Sequence, residues 1–239
     1  ISFVAEPGQT IALVGPTGSG KTSITALAHR FYDVQEGSIT IDGSDIRDVT
    51  QESIGGGMGM VLQEPFLFSK SVLDNIQYNT DNASREDIVA ACKIIGAHDF
   101  VMQLENGYDT VLEQRGSNLS VGQRQLLSFA RALVADPKIL VLDEATANID
   151  SYTERIIQDA LKKLLEGRTA LVIAHRLSTI RNSNRIIVVR DGEIVEMGTH
   201  DVLVESTGLY SQLWQTNYTS FDDIADNADD VTGMPASST

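Results

Sequence analysis

The stretch Gly15-Pro16-Thr17-Gly18-Ser19-Gly20-Lys21-Thr22 constrains this chain more than any other. It follows an apolar, β-prone run, Thr10-Ile11-Ala12-Leu13-Val14, and opens a segment of helical character, Ser23 to Arg30. The spacing is G-x-x-x-x-G-K-[ST] in a strand–loop–helix setting. Glycines let the backbone bend so that successive N–H groups converge on one concavity, a nest for phosphate oxygens. The helix start behind the loop adds a partial positive charge of roughly half an elementary unit. Such a loop predicts a Lys21 that reaches the β- and γ-phosphates of a nucleotide and a Thr22 hydroxyl that ligates Mg²⁺. A glycine-rich turn without chemical purpose does not need the Lys-Thr pair at this spacing.

A chain of 239 residues is long enough for one large domain or two coupled subdomains. The net charge of −15 argues against non-specific nucleic-acid binding through a basic surface and leaves room only for a local patch. The single cysteine, Cys92, excludes an intrachain disulfide and fits a reducing compartment. It reads as a small apolar helix residue, since no histidine partner is suggested nearby. No apolar run approaches bilayer length and no signal peptide is visible. The chain by itself therefore reads as soluble, with docking on a membrane protein still open to it.

Ile1 to Ala5 reads as a strand, Pro7-Gly8 as a turn, and the next strand runs into the phosphate loop. So abrupt a start suggests a fragment whose first strands are absent. Gly37 to Gly43 reads as a strand closed by an Asp-Gly turn, followed by a short helical segment, Val49 to Ile54. Gly55-Gly56-Gly57 is expected to stop that helix, because three glycines are costly in one. The triplet reads as a loose hinge or a sequence artefact. Met58 to Leu62 is an apolar run, a buried strand ending at Gln63. From Ser71 to Val134 helical patterns dominate. Ser84 is an expected N-cap with acids behind it, and Ile88, Val89, Ala91, Cys92 and Ile95 follow at helical spacing. A polar loop, Glu113 to Asn118, precedes a second cap at Ser120. The pattern then returns to β/α alternation, with strands at Ile139–Leu142 and Thr169–Ala174 around a helix from about Tyr152 to Leu165. Arg185 to Val189 and Glu193 to Met197 form a hairpin about Asp191-Gly192. After Trp214 the composition turns acidic and small, and 217–239 reads as a disordered tail.

Chemistry accumulates at the ends of the expected strands. Asp143, behind four apolar residues, is placed to hold Mg²⁺ directly or through water. Glu144, one residue further, is placed to polarise a water attacking the γ-phosphate. Gln63 and His175 also end strands, and the carboxyl ends of parallel strands gather around a ligand crevice.

Three stretches, GPTGSGKT, NLSVGQRQ at 118–125 and ILVLDEATANID at 139–150, stand in this order. Together they resemble the ATP-binding-cassette ATPases over residues 1 to about 215. LSVGQ differs from the commoner LSGGQ only at Val121. ARALVADPKILVLDEATANID followed by IAHRLSTI is similar to the exporter branch, multidrug or lipid exporters in particular. The resemblance implies that Gly15 to Ser23 bind ATP. It implies that Ser120, Gly122 and Gln123 face the γ-phosphate of ATP held by a second subunit, and that Asp150 connects the two sites. Gln63 would touch Mg²⁺ or the attacking water and link the site to a transmembrane domain. His175 would contact the γ-phosphate and help position Glu144.

The chain departs from the family pattern at three places. The aromatic that stacks on adenine would precede Ile1, so no residue here takes that role. Gly55-Gly56-Gly57 stands where basic or polar residues are usual. Glu113-Gln114-Arg115-Gly116 keeps only Arg-Gly of a commoner Gly-Glu-Arg-Gly.

The expected fold is α/β: a RecA-like P-loop NTPase parallel sheet, an inserted helical subdomain and a partial, N-terminally truncated antiparallel β subdomain. The core would span 1–63 and 136–216, and the helical part 64–135. The expected function is Mg²⁺-dependent ATP hydrolysis, with ATP and Mg²⁺ as cofactors, on the cytoplasmic face of a membrane. The partners would be a second nucleotide-binding domain and exporter transmembrane domains. No nucleic acid is expected, and membrane contact would come only through the transmembrane partner. A cassette ATPase of DNA repair or chromosome structure is the alternative, but it would need a coiled-coil insertion, and no heptad run lies between Gln63 and Asn118. A clamp that holds ATP without turnover is disfavoured by Glu144.

Overall fold

The structure, a computed structural model, describes residues 1–78, 80, 82–144, 150–174 and 176–217. In chain order the elements are β1 (Thr10–Val14), α1 (Lys21–Ala28), β2 (Thr40–Ile41), β3 (Ser44–Asp45), α2 (Gln51–Gly57) and β4 (Met58–Val61). Then come α3 (Val72–Gln77), α4 (Arg85–Ile95), α5 (His98–Met102), α6 (Val121–Ala135) and β5 (Ile139–Asp143). The chain continues with α7 (Ser151–Leu165), β6 (Thr169–Ile173), α8 (Leu177–Arg181), β7 (Arg185–Arg190), β8 (Glu193–Gly198), α9 (His200–Val204) and α10 (Leu209–Asn217).

Among the described residues the main sheet has six strands in the order β4-β5-β6-β1-β7-β8. All neighbours pair in parallel except β8, which returns antiparallel on β7 through a turn with Asp191 and Gly192 at positive φ. β1 lies inside the sheet and is apolar from Ile11 to Val14 because both of its faces are covered. Ala12 and Val14 enter the large core, with apolar residues of α3, α4, α6 and α7. Ile11 and Leu13 enter a second cluster on which Ile24 of α1 packs. This is the RecA-like P-loop arrangement, accompanied by a small antiparallel sheet of β2 and β3. The β2–β3 turn puts Asp42 and Gly43 at positive φ, the backbone that an Asp-Gly hairpin favours.

Among the described residues four α-helices, α3 to α6, lie between β4 and β5. Among the described residues of this stretch the longest helix is α6, at 15 residues, so no coiled-coil arm is present there. Both expected caps form as capping boxes. The Ser84 and Ser120 hydroxyls accept the N–H groups of Asp87 and Gln123, whose side chains accept the cap N–H groups in return. Cys92 is fully buried on α4, and burial pushes its thiol up to about 11, which leaves it protonated at neutral pH. No described helix is long and apolar enough to cross a membrane.

The structure corrects three readings. Ile1 to Ala5 joins no sheet among the described residues: Phe3 packs on the core, the Val4 carbonyl accepts Arg185 Nη1 at 3.3 Å, and the segment finds no strand partner. The strand expected over Gly37 to Gly43 shrinks to Thr40–Ile41, because only the hairpin itself supplies pairing. Gly55-Gly56-Gly57 does not end the helix but forms the second half of α2. Here tertiary anchoring overrides propensity: Thr50 caps the helix start, Ile54 is buried, and Met58 enters β4 at once. The expected tail lies outside the described residues except for Asn217, which closes α10.

A methyl group on Gly55, Gly56 or Gly57 would meet no atom within 4 Å, and none of the three has positive φ. Gly56→Ala is therefore expected to stabilise the protein by about 0.5–1 kcal/mol, the helix advantage of Ala over Gly. The urea midpoint of unfolding measures it, and an unchanged or lowered midpoint would contradict a helical Gly56.

Candidate nucleotide site

Parallel pairing sets the ends of the strands level. Asp143 is in register with Ile173, and Ile173 with Leu13. The phosphate loop after β1, the acids after β5 and the segment after β6 therefore share one edge of the sheet. Gln63 follows β4 at the same edge, where it is exposed.

The loop from Gly15 to Gly20 wraps the Lys21 ammonium. Lys21 is 8% exposed, and its Nζ donates to the carbonyls of Gly15 (2.8 Å) and Pro16 (2.9 Å) and lies 3.5 Å from Ser19 Oγ. Burial pulls its pKa down, against the opposing pull of the Asp143 carboxylate. Lysine and Asp143 thus lie within electrostatic reach of each other.

Two glycines here answer to specific demands. Gly20, with φ 105°, precedes α1 in a left-handed conformation that L side chains avoid. At Gly15 a Cβ would run into the Val189 carbonyl oxygen of β7. The Gly192 N–H, at the β7–β8 turn, donates to the Ser19 carbonyl at 3.0 Å and braces the loop from below. A concavity of about 160 Å³ is lined by Gly18, Gly20, Lys21, Thr22 and Ser23, and the last two are exposed there. A hydroxyl at Thr22 and a half-buried carboxylate at Asp143 are hard oxygen donors, the kind Mg²⁺ takes together with phosphate oxygens.

Glu144 is 7% exposed. Its N–H donates to the Ile173 carbonyl at 3.1 Å. Its carboxylate accepts the Thr179 hydroxyl at 2.6 Å and the Arg176 N–H at 3.2 Å. The acid is thus held by the start of α8. The Arg176 side chain in turn lies 3.8 Å from Glu154 on α7. His175 falls outside the described residues, as do residues 145–149 just before Asp150.

The signature stretch is built differently from the loop. Ser120 is an exposed N-cap, and Gln123 Oε1 accepts the Ser120 N–H at 2.9 Å, so Gln123 serves its own helix. Gly122 is buried, and a Cβ there would clash with Thr153 Cγ2 on α7. Its missing side chain thus lets the starts of α6 and α7 approach. Asp150 caps α7 by accepting the Thr153 N–H at 2.9 Å, which holds its carboxyl below the usual range. Among the described residues no hydrogen bond or ion pair joins Ser120, Gly122 or Gln123 to the phosphate loop. Sequence reading missed Thr179, Arg176, Thr153 and Gly192. The first two stand within four residues of His175 and were legible only as neighbours of a motif.

A phosphate-cradling loop after an inner parallel strand, with acids at the end of another, defines a P-loop nucleoside triphosphatase. The ABC transporter family matches residues 1–147. The "Uncharacterized ABC transporter ATP-binding protein YfiC" of Bacillus subtilis is 50% identical over 218 residues, 91% of this chain and 36% of that protein. The "ATP-dependent lipid A-core flippase" of Desulfotalea psychrophila is 50% identical over 214 residues, 90% of this chain and 37% of that protein. Among solved structures, a bacterial Atm1-family ABC exporter with ATP bound superposes with a TM-score of 0.85 at 42% identity, covering 92% of this chain and 38% of that one. The chain belongs to the ABC transporter family. It spans little more than a third of the lengths of these relatives.

Proposed function

We propose that this chain is the motor of an exporter, hydrolysing Mg·ATP between two such domains and so moving transmembrane partners on a membrane's cytoplasmic face. The observation that carries this reading is the convergence of Lys21, Asp143 and Glu144 at one sheet edge. Lys21 and the amides of Gly15 to Ser23 bind the phosphates. Thr22, Asp143 and Gln63 would hold Mg²⁺, which when bound neutralises charge on the phosphate oxygens. Glu144 is the general base and His175 its companion at the γ-phosphate. Ser120, Gly122, Gln123 and Asp150 serve the nucleotide of the opposite domain. In this reading 1–63 and 136–216 form the catalytic core, and 64–135 is the arm that carries the signature. The names of the flippase and exporter relatives support export, and a chain a third of their length fits one part of a larger transporter.

Complementation tests the composite site. Ser120→Arg leaves the phosphate loop intact, so the isolated chain keeps ATP binding while hydrolysis by the pair stops. Lys21→Ala damages the loop and leaves the signature whole. In a mixed dimer one site joins the two intact halves and the other joins the two damaged ones. ATPase activity in the mixture is expected to exceed that of either variant alone. A mixture no more active than its parents, beside an active wild type, would contradict the two-domain site.

A further inference from the structure

We infer that Thr179 is a positioning residue for Glu144, its hydroxyl fixing the carboxylate that acts on the attacking water. The inference rests on Glu144 being the base. The 2.6 Å bond from Thr179 Oγ1 to Glu144 Oε1 is buried at both ends, each residue being 7% exposed. The Arg176 N–H takes Oε2 at 3.2 Å. Two donors on different oxygens remove the freedom of the carboxylate to rotate. A base oriented by a third group is the arrangement that efficient proton abstraction needs.

The support behind Thr179 is firm. Its own carbonyl accepts the Ser183 hydroxyl at 2.6 Å, which closes the end of α8. Ile180, beside it, is fully buried in the main core. Ahead of it, Ser178 Oγ donates to Gln158 Oε1 of α7 at 2.6 Å, and the Arg176 side chain faces Glu154 of the same helix. The donors to Glu144 therefore sit on a turn anchored to α7 and to the core, rather than on a free loop.

Thr179→Val keeps the shape and removes the donor. We expect kcat to fall roughly ten- to a hundredfold, the scale of a misplaced catalytic group, while KM for Mg·ATP stays near wild type. Thr179→Ser restores the hydroxyl and is expected to recover most of the rate. In a Glu144→Gln background the same Thr179→Val change is expected to add no further loss, because the two residues act as one unit. The measurements are steady-state ATP turnover by the full chain and Mg·ATP binding by calorimetry, which checks folding. Thr179→Ala, with the same expectation, replaces the Val variant if the latter binds no ATP. Wild-type kcat in Thr179→Val beside an inactive Glu144→Gln overturns the inference and leaves the base intact. Equal loss in the Ser and Val variants overturns it too. Wild-type turnover by Glu144→Gln removes the base itself, and the inference with it.

Discussion

Glu144→Gln is expected to bind Mg·ATP normally, to hydrolyse it far more slowly and to accumulate as an ATP-bridged dimer. Removing a general base typically costs roughly 10²–10⁴-fold in rate, about 3–5 kcal/mol of barrier. Glutamine keeps the outline of the side chain but cannot take a proton from water. It can still accept the Thr179 hydroxyl through its amide oxygen. Its NH₂ then faces the Arg176 N–H, so one of the two restraints is lost at a cost of about 1 kcal/mol. Nucleotide binding survives, because among the described residues Lys21, Thr22 and the loop amides make their hydrogen bonds to other groups than this acid. The dimer persists because hydrolysis, its route to separation, is blocked. Loss of a negative charge near the γ-phosphate favours it further. Sedimentation with Mg·ATP, wild type beside variant, reads the dimer, and phosphate release reads the rate. A variant that stays monomeric at saturating ATP would refute the bridged dimer. One that turns over at the wild-type rate would refute the base.

Lys21→Ala is expected to weaken ATP binding by roughly ten- to a hundredfold, the loss of a charge-assisted contact worth about 1.5–3 kcal/mol. The structure adds a second consequence. The ammonium also donates to the Gly15 and Pro16 carbonyls. Alanine leaves those carbonyls without that donor, so the loop loosens even in the empty protein. The loss is larger in the presence of ATP, because the positive charge opposes two or more phosphate charges only when they are bound. Calorimetry gives the affinity, and thermal unfolding with and without Mg·ATP separates the two effects. An unchanged affinity would remove Lys21 from the phosphate site. A melting shift equal with and without nucleotide would make its role purely one of loop structure.

Much of this site was legible because its information is local. Gly15 to Thr22 must form a nest wherever it follows a strand and opens a helix. Asp143 and Glu144 follow four apolar residues that can only be a covered strand, and parallel strands end together. Ser84 and Ser120 announce helix starts through bonds that span three residues. The Asp-Gly turns likewise depend on their own two residues. These features carry their physics within a few positions of the chain, so no tertiary knowledge was needed to read them.

What stayed hidden depends on contacts far apart in sequence. Gly55 to Gly57 read as a helix stop by propensity, yet the cap at Thr50 and the burial of Ile54 and Met58 hold them in α2. Ile1 to Ala5 has a strand's composition, and a strand exists only where a neighbour offers its ladder. Gly122 owes its missing side chain to Thr153, thirty-one residues on, and Gly15 owes its own to Val189. Thr179 holds Glu144 across thirty-five residues. The chain by itself determined the nest, the acids, the caps and the alternation that makes the sheet, since each is written in neighbours. The tertiary structure alone decided which glycines are required, which are only tolerated, and which hydroxyl holds the Glu144 carboxylate. Those outcomes turn on excluded volume and hydrogen-bond partners that meet only once the sheet has assembled.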